Sequence, residues 1–292
     1  MRKVGEIVRM LLELVKFEHT LFALPFALIG MLLAARTSPA RLNVHTFLWI
    51  IVAMAGARSA AMAFNRLADA RFDAGNPRTS SRHLPSGLLS RYQVIFFLLA
   101  SIALFELAAW QLNALCLLLS PIALLIILGY SYTKRFTSLC HLFLGLATGI
   151  APIGAWIAVQ GKLALTPLLL GLVVLLWIGG FDIIYALQDY EYDVKSPLYS
   201  LPKRIGKARA LQVSRSMHIF MILVLLYIGR IDSLHWLYFL GVLTAASLIT
   251  WEQSLVKPAD LRHINLAFFT LNGWVSITLF CFVLLDGYSG KF

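Results

Sequence analysis

Long stretches of the sequence carry no charged residue, and this feature limits most how the chain can fold. An apolar run of ~18 residues or more can cross the hydrocarbon core of a bilayer as a helix. Charged residues make up only 13% of the chain, about half the share in a soluble protein. The sequence therefore predicts an all-α, polytopic membrane protein with a single transmembrane domain over residues 1–292. Charge-free stretches include Leu107–Thr133, Phe136–Gly161, Leu163–Phe181, Ser233–Trp251 and His263–Leu285.

The apolar runs divide into nine predicted membrane spans. Residues 92–133 comprise 42 residues with one charged side chain, Glu106. A single helix of that length would measure about 63 Å, roughly twice the hydrocarbon thickness, so we predict two helices with a hairpin at Gln111 and Asn113. The other seven predicted spans are Thr20–Ala35, Leu42–Asn65, His141–Gln160, Ala164–Ala186, Val213–Gly229, Leu234–Trp251 and Asn265–Asp286.

The distribution of basic residues predicts the orientation of the chain in the membrane. Cytoplasmic loops of membrane proteins are enriched in lysine and arginine. With the N-terminus inside, 19 of the 25 basic residues lie on the cytoplasmic side. We therefore predict a multi-pass protein of the cell inner (cytoplasmic) membrane. Its N-terminus is predicted to be cytoplasmic, with residues 1–19 forming an amphipathic segment on the membrane surface.

Two predicted cytoplasmic loops, residues 69–91 and 188–209, are much longer than the loops on the other side. Long polar loops in a compact protein often carry function. The net charge of +11 is also found in proteins that bind nucleic acid, but this chain has no soluble domain to bind it. We therefore predict the lipid bilayer, and no nucleic acid, as a partner, and we place the active site in the two long loops.

Two predicted helix ends carry acidic residues at helical spacing. In each motif, two aspartates four residues apart share a helical face with a further polar residue that precedes them. Four predicted spans separate the motifs, so both reach the same side of the membrane. The first motif consists of Asn65, Asp69 and Asp73, and the second of Asp182, Asp189 and Asp193.

Basic side chains are predicted to lie at the same side as these carboxylates. Several carboxylate oxygens together can bind Mg²⁺. A metal ion together with basic side chains can bind an anion such as diphosphate. The alternative is that the charged loops are salt-bridged caps, but two such motifs on one membrane face favour a catalytic site. Arg78, Arg82, Lys134 and Lys203 are predicted to bind the anion.

Two residues inside the predicted spans indicate a second binding position. Arg58 precedes Asn65 by seven residues on the same helical face. A buried guanidinium costs several kcal/mol unless it is paired, so we predict that Arg58 lines a cavity and does not face lipid. Tyr130, four residues before Lys134, is predicted to reach the same cavity. The spacing alone agrees equally well with a second interpretation, in which Tyr130 lies at the membrane interface and the Lys134 side chain extends to water.

Together these residues resemble the UbiA superfamily of intramembrane prenyltransferases, in particular its 4-hydroxybenzoate polyprenyltransferase-like branch. Many members have aspartate directly after the first asparagine, where this chain has Arg66. That departure resembles a bacterial subgroup associated with menaquinone made through futalosine. The segments that carry the resemblance are Lys16–Pro25, Gly56–Asn65, Asn65–Asp73, Asn76–Pro85, Tyr130–Lys134 and Asp182–Asp193.

The resemblance implies nine helices around a central cavity that opens sideways to lipid, and Mg²⁺-dependent transfer of a polyprenyl chain from polyprenyl diphosphate to a small aromatic acceptor. The expected acceptor is 4-hydroxybenzoate or a related aromatic acid of ubiquinone or menaquinone biosynthesis. Haem, chlorophyllide or dihydroxynaphthoate as acceptor is an alternative, as is a lipid or cation transporter without enzymatic activity. Asp182 is expected to be a metal ligand or to orient the acceptor as a base, and Arg58 is expected to bind the carboxylate of the acceptor. The expected metal ligands are Asn65, Asp69, Asp73, Asp189 and Asp193.

Overall fold

A computed structural model describes residues 4–15, 20–37 and 42–289. Apart from one isolated β-bridge between Lys257 and Asp260, these ranges contain only helices, turns and loops. A 3-10 turn, Leu187–Asp189, follows α7, and a π-helical turn, Leu266–Leu271, precedes α12. The helices are α1 Val4–Val15, α2 Thr20–Thr37, α3 Val44–Gly75, α4 Arg91–Leu112, α5 Ala114–Thr133, α6 Cys140–Gln160, α7 Leu165–Ala186, α8 Tyr190–Lys195, α9 Leu201–Ile205, α10 Lys207–Ile231, α11 Trp236–Leu255 and α12 Asn272–Ser289.

The predicted break between the fourth and fifth helices lies at Asn113. Its backbone is extended, and its side chain accepts a hydrogen bond from the amide of Cys116, which caps α5. The same side chain donates to the carbonyl of Ile157 at 2.9 Å. Because asparagine satisfies a free helix-end amide and also binds α6, the long apolar run turns at this residue.

Six helices in the described part of the chain are long and apolar enough to span a bilayer: α3, α4, α5, α6, α7 and α10. Residues Ala23–Thr37 of α2 are apolar as well. Helices α11 and α12 overlap the last two predicted spans but are not among the six. The all-helical prediction is confirmed over these residues, whereas the count of nine spans stays a prediction.

Helix α3 is longer than a membrane span. Its 32 residues measure about 48 Å at the usual helical rise, well beyond the ~30 Å of hydrocarbon. The last turns therefore carry Asp69 and Asp73 beyond the apolar core while Arg58 stays within it. The predicted loop 69–91 thus begins as helix, and the predicted loop 188–209 contains α8 and α9.

Glycine residues allow the helices to approach closely around the site. A β-carbon at Gly149 on α6 would lie only 2.6 Å from the carbonyl oxygen of Gly171 on α7. Gly56 on α3 similarly contacts the backbone of α4 at Phe105. Such close backbone contact is how small residues hold membrane helices together. Helix α7 is fixed in this way against α6, and α3 against α4.

We expect Gly149→Ala to lower the free energy of unfolding of the detergent-solubilised protein by about 1–3 kcal/mol, and with it the melting temperature, because the added methyl group overpacks a backbone contact. Gly154→Ala on the same helix is the control. Around Gly154 no heavy atom of the described residues lies within 4 Å of an added β-carbon, so this change should leave stability equal or slightly higher. Equal melting temperatures for the two variants would contradict the packing explanation.

Candidate active site

A cavity of about 480 Å³ lies between α3, α4, α5, α6 and α7, with Ala23 of α2 also in its wall. Most of the wall is apolar, formed by Ala, Leu, Ile, Phe and Met side chains. Arg58 and Tyr130 line it, as the sequence predicts for a shared cavity. Other polar side chains in the wall are Asn65, Arg66, Arg82, Ser120, Thr148, Asp182 and Tyr185.

The first acidic motif lies on α3, where each aspartate contacts a basic side chain. Asp69 accepts a hydrogen bond from Asn65 at 3.0 Å and lies 2.6 Å from the ammonium group of Lys134. Asp73 accepts two hydrogen bonds from Arg82, at 2.8 and 2.9 Å. Both aspartates are buried. A buried carboxylate needs such partners, since removing the charge from water is costly.

The second acidic motif meets the first through the loop after α3. Arg78 donates to both carboxylate oxygens of Asp189, with its Nε 2.8 Å from Oδ1. Asn76, which caps the end of α3, donates to Asp189 at 3.0 Å. Tyr192 on α8 donates to the carbonyl of Phe72 at 3.0 Å. The two motifs, 120 residues apart in sequence, are therefore joined through Asn76, Arg78 and other residues that flank them.

The Arg78 guanidinium lies outside the spans, and its side chain is 31% exposed. Burial acts to lower the pKa of Arg78, but the hydrogen bonds and charge of Asp189 outweigh it and raise the pKa above its ordinary value. The side chain therefore stays positively charged at any physiological pH.

The 3-10 turn changes how the second motif is arranged. A continuous helix would place Asp182, Asp189 and Asp193 on one face, but α7 ends at Ala186 and Asp193 lies on the separate helix α8. Asp182 lines the cavity and is 2.7 Å from His141. The Asp193 carboxylate is repelled by the charge of Asp189 and attracted by that of Lys134. The motif thus divides between the cavity and the loop.

Lys203 is engaged with the backbone of its own loop. Its ammonium group donates to the carbonyls of Ser196 and Leu198 at 2.7 and 2.8 Å, and it does not line the main cavity. Its predicted contact with an anion stays a prediction. Arg58 differs, because its Nε and Nη2 atoms are buried and have no hydrogen-bond partner among the described residues.

The carboxylate and amide oxygens of the two motifs are the donor types that Mg²⁺ prefers. One carboxylate oxygen, Oδ1 of Asp69, is buried without a hydrogen-bond partner within the described ranges. No group of three His, Cys, Asp or Glu side chains among the described residues is arranged to hold a metal. Three of the carboxylates are instead paired, with Lys134, Arg82 and Arg78. The chemistry of the residues fits a divalent cation that would displace these partners.

Sequence reasoning missed three residues of the site as functional candidates. Asn76 could have been identified from the sequence, because an Asn-Pro pair directly after a long helix marks the end of that helix. Arg66 lies beside Asn65 and donates to its side-chain oxygen at 3.2 Å. The residue at which this chain departs from the family pattern therefore lines the cavity. His141 gave no signal, because a lone histidine in an apolar run is typical of core packing.

A sequence profile of the UbiA prenyltransferase family matches residues 23–274. This range covers most of the chain. The chain belongs to the UbiA prenyltransferase family. It is therefore a membrane-embedded prenyltransferase of the UbiA type.

Relatives of this UbiA-family protein share about a third of its residues. A 4-hydroxybenzoate octaprenyltransferase of Tolumonas auensis is 32% identical, over 83% of this chain and 85% of the relative. A 4-hydroxybenzoate octaprenyltransferase of an Enterobacter species is 30% identical, over 76% of each chain.

Solved structures share the fold. An apo UbiA homologue from Aeropyrum pernix K1 superposes with a TM-score of 0.84 at 32% identity, covering 92% of this chain and 98% of the other. A UbiA homologue from Archaeoglobus fulgidus, bound to DMAPP and Mg²⁺, superposes with a TM-score of 0.71 at 19% identity, covering 94% and 98%. The second likeness shows the fold alone.

We expect Arg78→Gln to lower the rate of prenyl transfer in membranes by about tenfold or more, because the substitution removes a charged, two-point contact that joins the two motifs. Arg78→Lys keeps the charge but loses the fork of donors and should recover only part of the rate. Arg71→Gln, at an exposed position on the same end of α3, should leave the rate unchanged. Equal effects at positions 71 and 78 would show that only overall charge matters.

Proposed function

We propose that this enzyme transfers a polyprenyl chain from polyprenyl diphosphate to 4-hydroxybenzoate or a closely related aromatic acid. One observation carries the proposal. The wall of an apolar cavity contains the Arg58 guanidinium, whose Nε and Nη2 have no hydrogen-bond partner among the described residues, and the cavity reaches acid–base pairs at one end. Such a cavity suits a reaction between an apolar chain with an anionic head and a small molecule with a carboxylate. Relatives named 4-hydroxybenzoate octaprenyltransferase support the same substrates.

The donor would bind with its diphosphate at the charged end of the cavity and its chain along the apolar walls. Arg78, Arg82 and Lys134 are paired with carboxylates, and they would turn toward the phosphate oxygens when a metal takes over those carboxylates. Lys203 is the fourth proposed basic contact. A polyprenyl chain is too apolar to leave the bilayer, so its remaining length would extend into lipid.

Magnesium is the proposed metal, and it would neutralise the leaving diphosphate when bound. The proposed ligands are Asn65, Asp69, Asp73, Asp189 and Asp193. Oδ1 of Asp69 supports this assignment, because it is buried, has no hydrogen-bond partner among the described residues and lies 3.9 Å from the cationic Nη2 of Arg135. A fold relative from Archaeoglobus fulgidus binds DMAPP and Mg²⁺. The basic residues of this chain then stabilise the negative charge that develops on the diphosphate.

The acceptor would bind between Arg58 and the acidic motifs. Arg58 precedes Asn65 by seven residues on α3, which places it about 10 Å deeper along the helix. A carboxylate paired with Arg58 would relieve the cost of the unpaired guanidinium and aim the aromatic ring at the charged end. Asp182 would orient the acceptor's hydroxyl group, and Tyr130 would contact the substrates from α5. The ring carbon next to the hydroxyl would then attack the allylic carbon as the carbon–oxygen bond to diphosphate breaks, and loss of the proton from that ring carbon to a base, for which Asp182 in the cavity wall is the candidate, would restore the aromatic ring.

The proposed topology has nine spans, with the N-terminus and both acidic motifs on the cytoplasmic face of the inner membrane. Helix α1 supports the proposed surface position of residues 1–19, of which 1–3 and 16–19 lie outside the described residues. Leu14 and Val15 are buried against the fold, while Val8 and Leu12 are 49% and 62% exposed. The exposed apolar residues suit contact with lipid.

Other acceptors of the wider family, such as haem, chlorophyllide or dihydroxynaphthoate, are less well supported than 4-hydroxybenzoate. The relatives with the substrate in their names point to 4-hydroxybenzoate, and Arg58 suits a single carboxylate. A transporter is not supported, because the family is one of prenyltransferases. Arg66 is the residue most able to shift the preference toward a related aromatic acid of menaquinone biosynthesis, since it lines the same cavity.

We expect EDTA and Asp69→Asn each to lower prenyl transfer by about 100-fold or more, because charge on the leaving diphosphate is then left without compensation. Added Mg²⁺ should restore the EDTA-treated enzyme but not the variant. Asp260→Asn is the control, since this carboxylate pairs with Arg262 in a loop outside the cavity. Full activity with EDTA or in Asp69→Asn would refute the metal–diphosphate site.

We expect Arg58→Gln to raise the KM for 4-hydroxybenzoate by about 10- to 100-fold, the usual worth of a hydrogen-bonded charge pair, with little change in the KM for octaprenyl diphosphate. The sharper measurement uses 4-hydroxybenzamide, which lacks the carboxylate. The native enzyme should prefer 4-hydroxybenzoate strongly, and Arg58→Gln should accept both poorly and equally. An unchanged preference would remove Arg58 from the acceptor site without affecting the donor site.

A further inference from the structure

His141 is a buried histidine beside the cavity, and both of its ring nitrogens have partners. The residue lies on α6 and is 4% exposed. Its Nδ1 is 2.7 Å from Oδ2 of Asp182 on α7. Its Nε2 is 3.3 Å from the backbone nitrogen of Leu201, the first residue of α9. One imidazole ring thus joins a carboxylate of the cavity wall to the loop that follows the second acidic motif.

The partners of the ring fix which nitrogen carries the proton. A backbone N–H can only donate, so Nε2 must be the acceptor of the bond from Leu201. The proton of the neutral imidazole is therefore on Nδ1, which donates to Asp182. Oδ2 of Asp182 is thus held by the ring, while its carboxylate lies at the cavity wall.

We propose that His141 is a positioning residue, which holds the Asp182 carboxylate in the orientation that receives the hydrogen bond of the acceptor's hydroxyl group. The inference rests on the proposed function, in which Asp182 orients the acceptor. The Asp182 side chain is 23% exposed and that of His141 only 5%, so the histidine acts through the aspartate and does not touch the substrate. A carboxylate with one oxygen fixed presents the other in a defined direction.

The competing explanation is that His141 only anchors the loop through Leu201. The structure provides a control for that role. Arg204 on α9 donates to the hydroxyl of Ser138 at 3.1 Å, which ties the same short helix to the residues before α6. Ser138→Ala therefore loosens the loop without removing a partner of Asp182.

The test compares His141→Leu, His141→Gln and Ser138→Ala in membranes supplied with octaprenyl diphosphate and 4-hydroxybenzoate. We expect His141→Leu to lower kcat/KM for the acceptor by about 10- to 100-fold, as loss of an orienting partner usually does, with the KM for the donor unchanged. His141→Gln should keep most of the activity, since an amide both donates and accepts. A normal His141→Leu enzyme, or an equal loss in Ser138→Ala, would overturn the inference.

A double-mutant comparison separates positioning from general disruption. If His141 acts through Asp182, adding His141→Leu to Asp182→Asn should cost no more than about twofold further. Losses that multiply in the double variant would show that the histidine acts elsewhere, and would overturn the inference.

One readout does not depend on the acceptor. In ¹⁵N-histidine-labelled protein, the His141 signals, assigned by their loss in His141→Gln, should show an unprotonated Nε2 and a protonated Nδ1. A protonated Nε2 would contradict the inference whatever the substrate. A native enzyme that prenylates no aromatic acid would instead contradict the proposed function, so the two failures are distinct.

Discussion

Pairing between the scarce acidic and basic side chains at one end of an apolar bundle is the interaction on which the rest of the structure depends. The pairs of Asp69 with Lys134, Asp73 with Arg82 and Asp189 with Arg78 connect α3, α5, the loop after α3 and the turn after α7. Each carboxylate is at least partly removed from water, and an unpaired charge there would cost several kcal/mol. The helices can therefore meet at this end only in an arrangement that brings opposite charges together.

This constraint explains how one set of side chains serves both folding and the proposed chemistry. Ion pairs that hold the site together can exchange partners, because a divalent cation suits the carboxylates and a diphosphate suits the arginines and lysine. The exchange keeps every charge compensated. Arg58 stands apart, because its buried nitrogens have no partner among the described residues. That unsatisfied group is the basis for placing an acceptor carboxylate in the cavity.

Much of the fold and part of the site could be predicted because their causes are local. The turn at Asn113 follows from the length of the apolar run, and the helical spacing of Asn65, Asp69 and Asp73 places them on one face of α3. The arrangement of Asp189 and Asp193 was not predictable in the same way, because the 3-10 turn after Ala186 interrupts the helix. Lys203 was expected at the anion, but nearby carbonyls of its own loop bind its ammonium group.

The sequence by itself determined that the chain is a helical membrane protein and that its acidic motifs and basic residues are few and clustered, because hydrophobic run length and helical period are properties of contiguous residues. Only the tertiary structure decided which charge pairs with which, that Asn76 and Arg78 join the two motifs, and that His141 reaches Asp182 and Leu201. These contacts of Asn76, Arg78 and His141 join residues 41 to 113 positions apart. They depend on how the helices pack, and local sequence patterns do not determine helix packing.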